Sequence, residues 1–345
     1  MSIYRSLIWH VNMKLRCPAF MKLRMATYVS CFVTMLWMSS LIYYLLGLVL
    51  DAQFHKHKIL HGFSVDAMSF DLMKDIGFTD NPKLYPQSYH DEDVPVFVMA
   101  LDSSQYDNFF LFLRSMKLYY PHKKFVIYNI DLSEEQLRLI RINCFCVIRD
   151  IHWYRYPSHV RRTKYRAYIP LLIQESLDEF GAVFWMDASM RFTSSDLWVV
   201  NTYAADQGLV SWPLLYPTSS FTHYNTFRYF NTSHKLYYFH RMIDPSRTIY
   251  YNTEKLHKEV MLPWVTCALD IDCIAPWGSQ AAGCNFQRKP KFIYAGCHHY
   301  DMSALNVILA KSFNFETPYI TSKIIFKLAA PKPSSNAFLP VIVGR

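Results

Sequence analysis

Glycine is scarce, nine residues in 345, and that shortage excludes the nucleotide loops that need several glycines in a short stretch. GxxxxGK(S/T) and GxGxxG are both absent, as are the HExxH of zinc peptidases and the GxSxG of serine hydrolases. Internal repeats are absent too. Acidic residues are missing from the first 25 positions, which carry Arg5, Lys14, Arg16, Lys22 and Arg24. Charge of either sign is missing from residues 26–50, "ATYVSCFVTMLWMSSLIYYLLGLVL".

That uncharged run, wound as a helix, would be about 37 Å long, enough for a hydrocarbon core of about 30 Å. It is longer than the apolar part of a cleaved leader and ends in no clean small-x-small site. It therefore reads as a membrane anchor. The basic flank before it and Asp51 after it place residues 1–25 in the cytosol and the rest across the membrane, a type II arrangement. The anchor flank holds five of the 36 basic residues, leaving 31 against 27 acids. So mild a surplus gives no reason to expect a nucleic-acid partner.

Six cysteines lie beyond the anchor: Cys144, Cys146, Cys267, Cys273, Cys284 and Cys297. An even number in an oxidising compartment suits disulfides, and six allow fifteen pairings. Asn231-Thr232-Ser233 is a glycosylation acceptor pattern compatible with that compartment.

Residues 51–93 read as a stem, with loop-like signals near its end, where "NPKLYPQSYHDEDVP" (81–95) holds three prolines and an acidic cluster. From Val94 to about residue 325 the pattern is regular. Apolar runs at 94–101, 123–130, 144–151 and 182–188 alternate with helical stretches, the signature of a mostly parallel sheet covered on both faces. Ser133 is placed to cap one helix, with Glu135 just behind it, and Pro170 must sit in the first turn of another. "YDMSALNVILAKSF" predicts a late helix capped by Asp301 or Ser303. Residues 326–345 read as a loose tail.

In such a sheet, ligands gather outside the carboxyl ends of the strands. Three ends carry polar residues: Ala100-Leu101-Asp102, Asn129-Ile130-Asp131, and Asp187-Ala188-Ser189 with Arg191 beyond. The run "HVRRTKYRAY" adds Arg161, Arg162, Lys164 and Arg166 just ahead of a helix. Cations there oppose the helix dipole unless an anion joins them, and a diphosphate would serve. A solvated basic loop and a strand-end Asp that caps the next turn are the bland alternatives.

"FGAVFWMDASMRF", "PWVTCALDIDCIAP" and "GCHHYDMSALNVIL" resemble an uncharacterised animal family of type II membrane proteins. That family is grouped by fold with nucleotide-diphospho-sugar transferases of the GT-A glycosyltransferase class. The resemblance implies a Rossmann-like α/β sandwich, a nucleotide-sugar donor, and a glycan, glycoprotein or glycolipid acceptor in the Golgi or endoplasmic reticulum. It places Asp187 at the first Asp of an Asp-x-Asp motif, which would hold Mn2+ or Mg2+. Ser189 stands where the second Asp belongs, so cations such as Arg191, Lys164 or Arg166 would substitute for metal. It also implies that Asp301 faces the transferred sugar, with Met302 in place of a Gln and His299 in place of an Arg.

A general base would come from Asp301, Asp270, Asp272 or Glu259, with Asp301 preferred. Cys267–Cys273 and Cys284–Cys297 are the expected bridges. A direct Cys144–Cys146 bond looks strained, and zinc at Cys284, Cys297, His298 and His299 fits no usual spacing. A degenerate, non-catalytic luminal module that binds carbohydrate or protein is the competing expectation.

Overall fold

The computed structural model describes residue 30 and residues 32–46, 71–86, 88, 95–285 and 287–329. Two compact units emerge, Met1–Met68 and Ser69–Arg345. In the first, residues 32–46 are helical and present Phe32, Trp37 and Tyr43 to solvent. No helix among the described residues is long and apolar enough to cross a membrane. The remainder of the 26–50 run, the 1–25 flank, residues 51–70 of the stem and the tail from 330 lie outside the described residues.

The second unit is a mixed α/β sandwich, as expected, around one six-stranded sheet. Its strands are β1 (Val96–Leu101), β2 (Phe125–Asn129), β3 (Val147–Asp150), β4 (Ala182–Met186), β6 (Leu209–Pro217) and β7 (Arg241–Tyr251), in the order β3-β2-β1-β4-β7-β6. β1, β2, β3 and β4 pair in parallel, and only β7 runs against its neighbours β4 and β6. A small second sheet joins β5 (Met190–Phe192) to β8 (Phe326–Leu328).

The period-2 alternation of strand side chains divides the core into two layers. Val96, Val98, Val183 and Trp185 face the layer that contains helices Tyr168–Phe180, Leu262–Leu269 and Tyr300–Ser312. Phe97, Met99, Phe184 and Met186 face the layer of Tyr106–Tyr119 and Leu197–Gln207. Each such buried side chain contributes about 1.5–3 kcal/mol, which is why these strands are apolar throughout.

Local signals explain the joints. Pro170 sits in the first turn of Tyr168–Phe180, where its missing N–H is not needed. Gly181 ends that helix at a left-handed φ of 74° and turns the chain straight into β4. Ser133 caps Glu134–Asn143 through a reciprocal pair with Gln136: its hydroxyl accepts from the Gln136 N–H at 3.3 Å and its own N–H donates to Gln136 Oε1 at 2.9 Å. The neighbouring Glu135 instead pairs with Arg138.

Three features differ from the sequence reading, and one of its alternatives is decided. Residues 71–86, read as stem, pack on the sandwich: Leu72 and Ile76 enter the core, and Gln174 Nε2 donates to the Ile76 carbonyl at 3.0 Å. A helix as short as 71–75 is too brief to show a period. Phe326–Leu328, read as loose, forms β8 because Phe326 is buried against Trp212. Cys144 and Cys146 are bonded to each other, their Cα atoms 5.2 Å apart and so inside the range of about 4.4–6.8 Å that a bridge needs. Of the two residues read as capping the late helix, Asp301 makes no such bond. Ser303 acts there, its Oγ accepting from the His299 N–H at 3.0 Å. The expected Cys267–Cys273 and Cys284–Cys297 bridges are both present.

Candidate functional site

From β1 the chain steps outward to β2 and β3, then returns to β4 on the other side of β1. The carboxyl ends of β1 and β4 therefore border the point where strand order reverses, the place where open α/β sheets receive ligands. Ala100 and Asp102 stand at one edge of it and Asp187 at the other.

Asp102 is engaged as a cap. Its Oδ1 accepts from the Gln105 N–H at 3.0 Å and from Ser104 Oγ at 2.5 Å. Asp187 closes a tight turn: Oδ1 accepts the Ser189 N–H at 2.7 Å and also the Ser189 hydroxyl. No described residue donates to its Oδ2. Arg191 reaches back to the same turn, donating Nη1 to the carbonyls of Ala188 (2.6 Å) and Met190 (2.7 Å). Burial lowers the Arg191 pKa and Asp187 opposes that shift. Its Nη2 is buried with no hydrogen-bond partner among the described residues.

The basic run divides. Arg161, Arg162 and Lys164 are exposed, and Lys164 lies over the Tyr165 ring at 4.8 Å. Arg166 turns inward through a left-handed φ of 53°, uncommon for a residue with a Cβ. Its Nη2 donates to Ser246 Oγ at 2.9 Å. Burial opposes the guanidinium charge, yet Asp301, Asp244 and Asp187 outweigh it and raise the Arg166 pKa.

Asp301, in the first turn of Tyr300–Ser312, is fully buried. Neither carboxylate oxygen has a hydrogen-bond partner among the described residues. Burial pushes its pKa up to about 7, with Arg166 opposing and Asp244 reinforcing the shift. The backbone is anchored beneath it, the Asp301 carbonyl accepting from Trp264 Nε1 at 3.0 Å. Beside it His299 is held neutral, its pKa lowered to about 4 by burial and by Arg166. Its Nε2 is buried and without a partner among the described residues. Met302 turns into an apolar cluster with Leu214 and Met242.

Two further charges complete the cluster, and the sequence reading missed both. Asp244 and Arg247 form a buried ion pair in the middle of β7, with the Ser246 N–H donating to Asp244 Oδ1 at 2.9 Å. Nε and Nη1 of Arg247 have no partner among the described residues. Their one signal in the sequence is "MIDPSRTIYY", a carboxylate and a cation three apart inside an apolar stretch. The other candidates for a base lie elsewhere: Asp270 caps Ile271–Ile274, and Glu259 is exposed.

A divalent metal fits this donor set poorly. Asp187 supplies one open oxygen, Ser189 spends its hydroxyl on Asp187, and no second carboxylate stands beside them in the turn. Among the described residues, the one group of three metal-type side chains is Cys284, Cys297 and His299. The two sulfurs there are joined in a disulfide and cannot act as thiolates. His298 is also committed, its Nδ1 accepting from the His223 N–H at 3.2 Å, so Nε2 carries the proton toward the Ile274 carbonyl at 3.1 Å.

Residues 53–174 match the model of a family described as a protein of unknown function, DUF1647. No curated protein matches the chain. Among solved structures, it is similar to the galactosyltransferase LgtC bound to donor and acceptor sugar analogues, at 13% identity over 62% of this chain and 69% of that one, with a TM-score of 0.33. It is similar to the mannosyltransferase Ktr4p of S. cerevisiae, at 10% identity over 70% and 76%, TM-score 0.37. It is similar as well to mouse xyloside xylosyltransferase 1, at 11% identity over 64% and 82%, TM-score 0.37.

Proposed function

We propose that the chain is a membrane-anchored glycosyltransferase, transferring a sugar from a nucleotide-diphospho-sugar to a hydroxyl of a glycan, glycoprotein or glycolipid. The observation that carries this reading is Asp301: a buried, unpartnered carboxylate whose pKa of about 7 suits a general base, set against the Arg166 guanidinium, which also feels the charge of Asp187. In the proposed step Asp301 takes the proton of the acceptor hydroxyl. The acceptor oxygen bonds to the anomeric carbon as the bond to the diphosphate breaks, and Arg166 meets the charge left on that diphosphate.

A non-catalytic module is the second reading. Ser189 in place of a carboxylate and Met302 buried among apolar neighbours favour it. Calorimetric titration of the full chain in detergent with UDP- and GDP-sugars separates the two. The enzyme reading expects saturable binding that survives chelation by EDTA and weakens at least tenfold in Arg166→Gln. Asp187→Asn is expected to leave that affinity within twofold, whereas a metal bridge would make it costly. No binding of any nucleotide sugar would leave the module.

The reading also places the second unit in the lumen of the Golgi or endoplasmic reticulum, behind a type II anchor at residues 26–50. Asn231 is exposed, at a left-handed φ of 49° in a turn. A glycan removable by endoglycosidase and lost in Asn231→Gln is the expected result. An unglycosylated Asn231, with residues after 71 open to protease from the cytosolic side, would overturn the topology.

A further inference from the structure

Between Leu209 and Ile243, and again between Ile274 and Tyr300, the chain has no Asp or Glu. These two segments meet. Tyr224 lies 5.6 Å from Tyr294 and 4.8 Å from His234, ring centre to ring centre. Tyr238 stacks on Phe292 at 4.5 Å and 28°, and Phe239 follows at 6.3 Å from Phe292. The result is a continuous surface of rings. Tyr224 is 44% exposed and Phe239 88%.

The same segments carry all their charge as cations. Arg228, Lys235, Arg241, Arg288, Lys289 and Lys291 are exposed. None forms an ion pair among the described residues; the acids nearest these segments, Asp270 and Asp272, face Tyr229 at one end of the surface, so the net charge of the two segments is positive. Contiguous exposed rings beside cations of one sign mark a recognition site.

The surface is linked to the candidate active site through buried contacts. The His223 N–H donates to His298 Nδ1 at 3.2 Å, the Phe221 ring meets His299 at 4.8 Å, and the Cys284–Cys297 bridge holds the 284–297 loop beside His299. The rings are thus tied to the residues around Asp301 through packed contacts.

We propose that this surface binds an anionic oligosaccharide, its pyranose faces packed on the exposed rings and its carboxylate or sulfate groups met by the lysines and arginines. Flat rings offer the C–H faces of a sugar a matching apolar plane, and Tyr and His supply hydrogen bonds at the ring edges. Cations alone would suit many polyanions, and rings alone many apolar partners. Together they select a chain that alternates apolar faces with fixed negative charge. The assignment of this oligosaccharide as the acceptor rests on the glycosyltransferase reading; the binding itself does not.

The test uses the full chain in detergent, deglycosylated at Asn231 so that an attached glycan cannot cover the surface. The probes are a heparin-derived hexasaccharide, neutral maltohexaose, inorganic sulfate, and phosphatidylcholine vesicles containing phosphatidylserine. Expected is binding of the sulfated hexasaccharide at least thirtyfold tighter than of maltohexaose, weakening as salt rises. Lys289→Gln/Lys291→Gln and Phe239→Ala, all at exposed positions, should each cost at least tenfold.

Equal affinity for the neutral hexasaccharide would overturn the proposal. So would an unchanged Phe239→Ala together with competition by sulfate at equal charge, because charge alone would then account for the binding. Vesicle binding lost in the double lysine variant, with no hexasaccharide bound, would assign the surface to a membrane instead. Titration with no nucleotide sugar present keeps the two readings apart: the hexasaccharide should bind even if no transfer is ever detected. Nucleotide-sugar binding without hexasaccharide binding would sink this inference alone.

Discussion

Asp301→Asn is expected to abolish sugar transfer and, at the same time, to raise the melting temperature at pH 8. Loss of a positioned base typically costs about 10²–10⁴-fold in rate. The stability gain follows from the raised pKa. An unfolded Asp gives up its proton near 3.8, whereas Asp301 in the fold keeps it until about 7. Between those values the folded state binds more protons than the unfolded one, so stability falls as pH climbs through the interval and levels off above it. At about 1.4 kcal/mol per pH unit, the charged carboxylate costs the fold roughly 4 kcal/mol at pH 8. Asn is free of that cost.

A rise on the order of 5–10 °C at pH 8 is expected, narrowing toward none near pH 4. Calorimetry of wild type and variant at both pH values checks it. Wild-type turnover should also increase through about pH 7, as the carboxyl ionises. A variant that is inactive but no more stable at pH 8 would remove Asp301 as the buried, charged base.

Asp244→Ala should act in the opposite direction. Arg247 is almost wholly buried and Asp244 nearly so. Removing the carboxylate leaves a buried guanidinium whose Nε and Nη1 are already without partners among the described residues. Breaking such a pair costs about 3–5 kcal/mol, a fall on the order of 10 °C. Replacing both members, as Asp244→Val/Arg247→Met, should recover most of that loss, because two matched apolar side chains leave no stranded charge.

The pH dependence has the other sign here. Burial pushes the Asp244 carboxyl up, but Arg247 and Arg166 outweigh it and hold the pKa well below the usual range. The unfolded chain therefore takes up this proton first. The contribution of Asp244 is complete above the ordinary carboxylate pKa and is lost as pH falls below it. Wild type and Asp244→Ala should converge in acid. A double variant no more stable than the single one would mean that the pair's environment, and not the stranded charge, sets the cost.

Why were these two residues harder to find than Asp187? Asp187 ends an unbroken apolar run, so both the strand and its polar end stand out in the sequence. The same holds for β1 and β2, and for the helix capped at Ser133. β7 has no such run. Pro245 and the Asp244–Arg247 pair interrupt its apolar residues, and the charges are tolerated inside only because they meet each other and Arg166. That compensation is a property of three distant segments, 166, 244–247 and 301, and no local pattern encodes it. The basic run at 161–166 was visible as a run. Which member turns inward depends on the left-handed backbone at Arg166, and nothing in composition distinguishes it from Lys164 or Arg162. Residues 71–86 and Phe326–Leu328 were hidden for a simpler reason: three to five residues are too few for a period to emerge.

β7 lies between β4 and β6, although both of those are made before it. During synthesis the growing chain must therefore leave a slot open in the sheet, with the backbone amides and carbonyls of β4 bare along one side. A nascent or prematurely terminated chain that stops short of Arg241 would display that sticky border next to five apolar side chains. Nonsense changes between residues 187 and 241 should thus yield insoluble product, while those after Leu328 leave every strand among the described residues provided for.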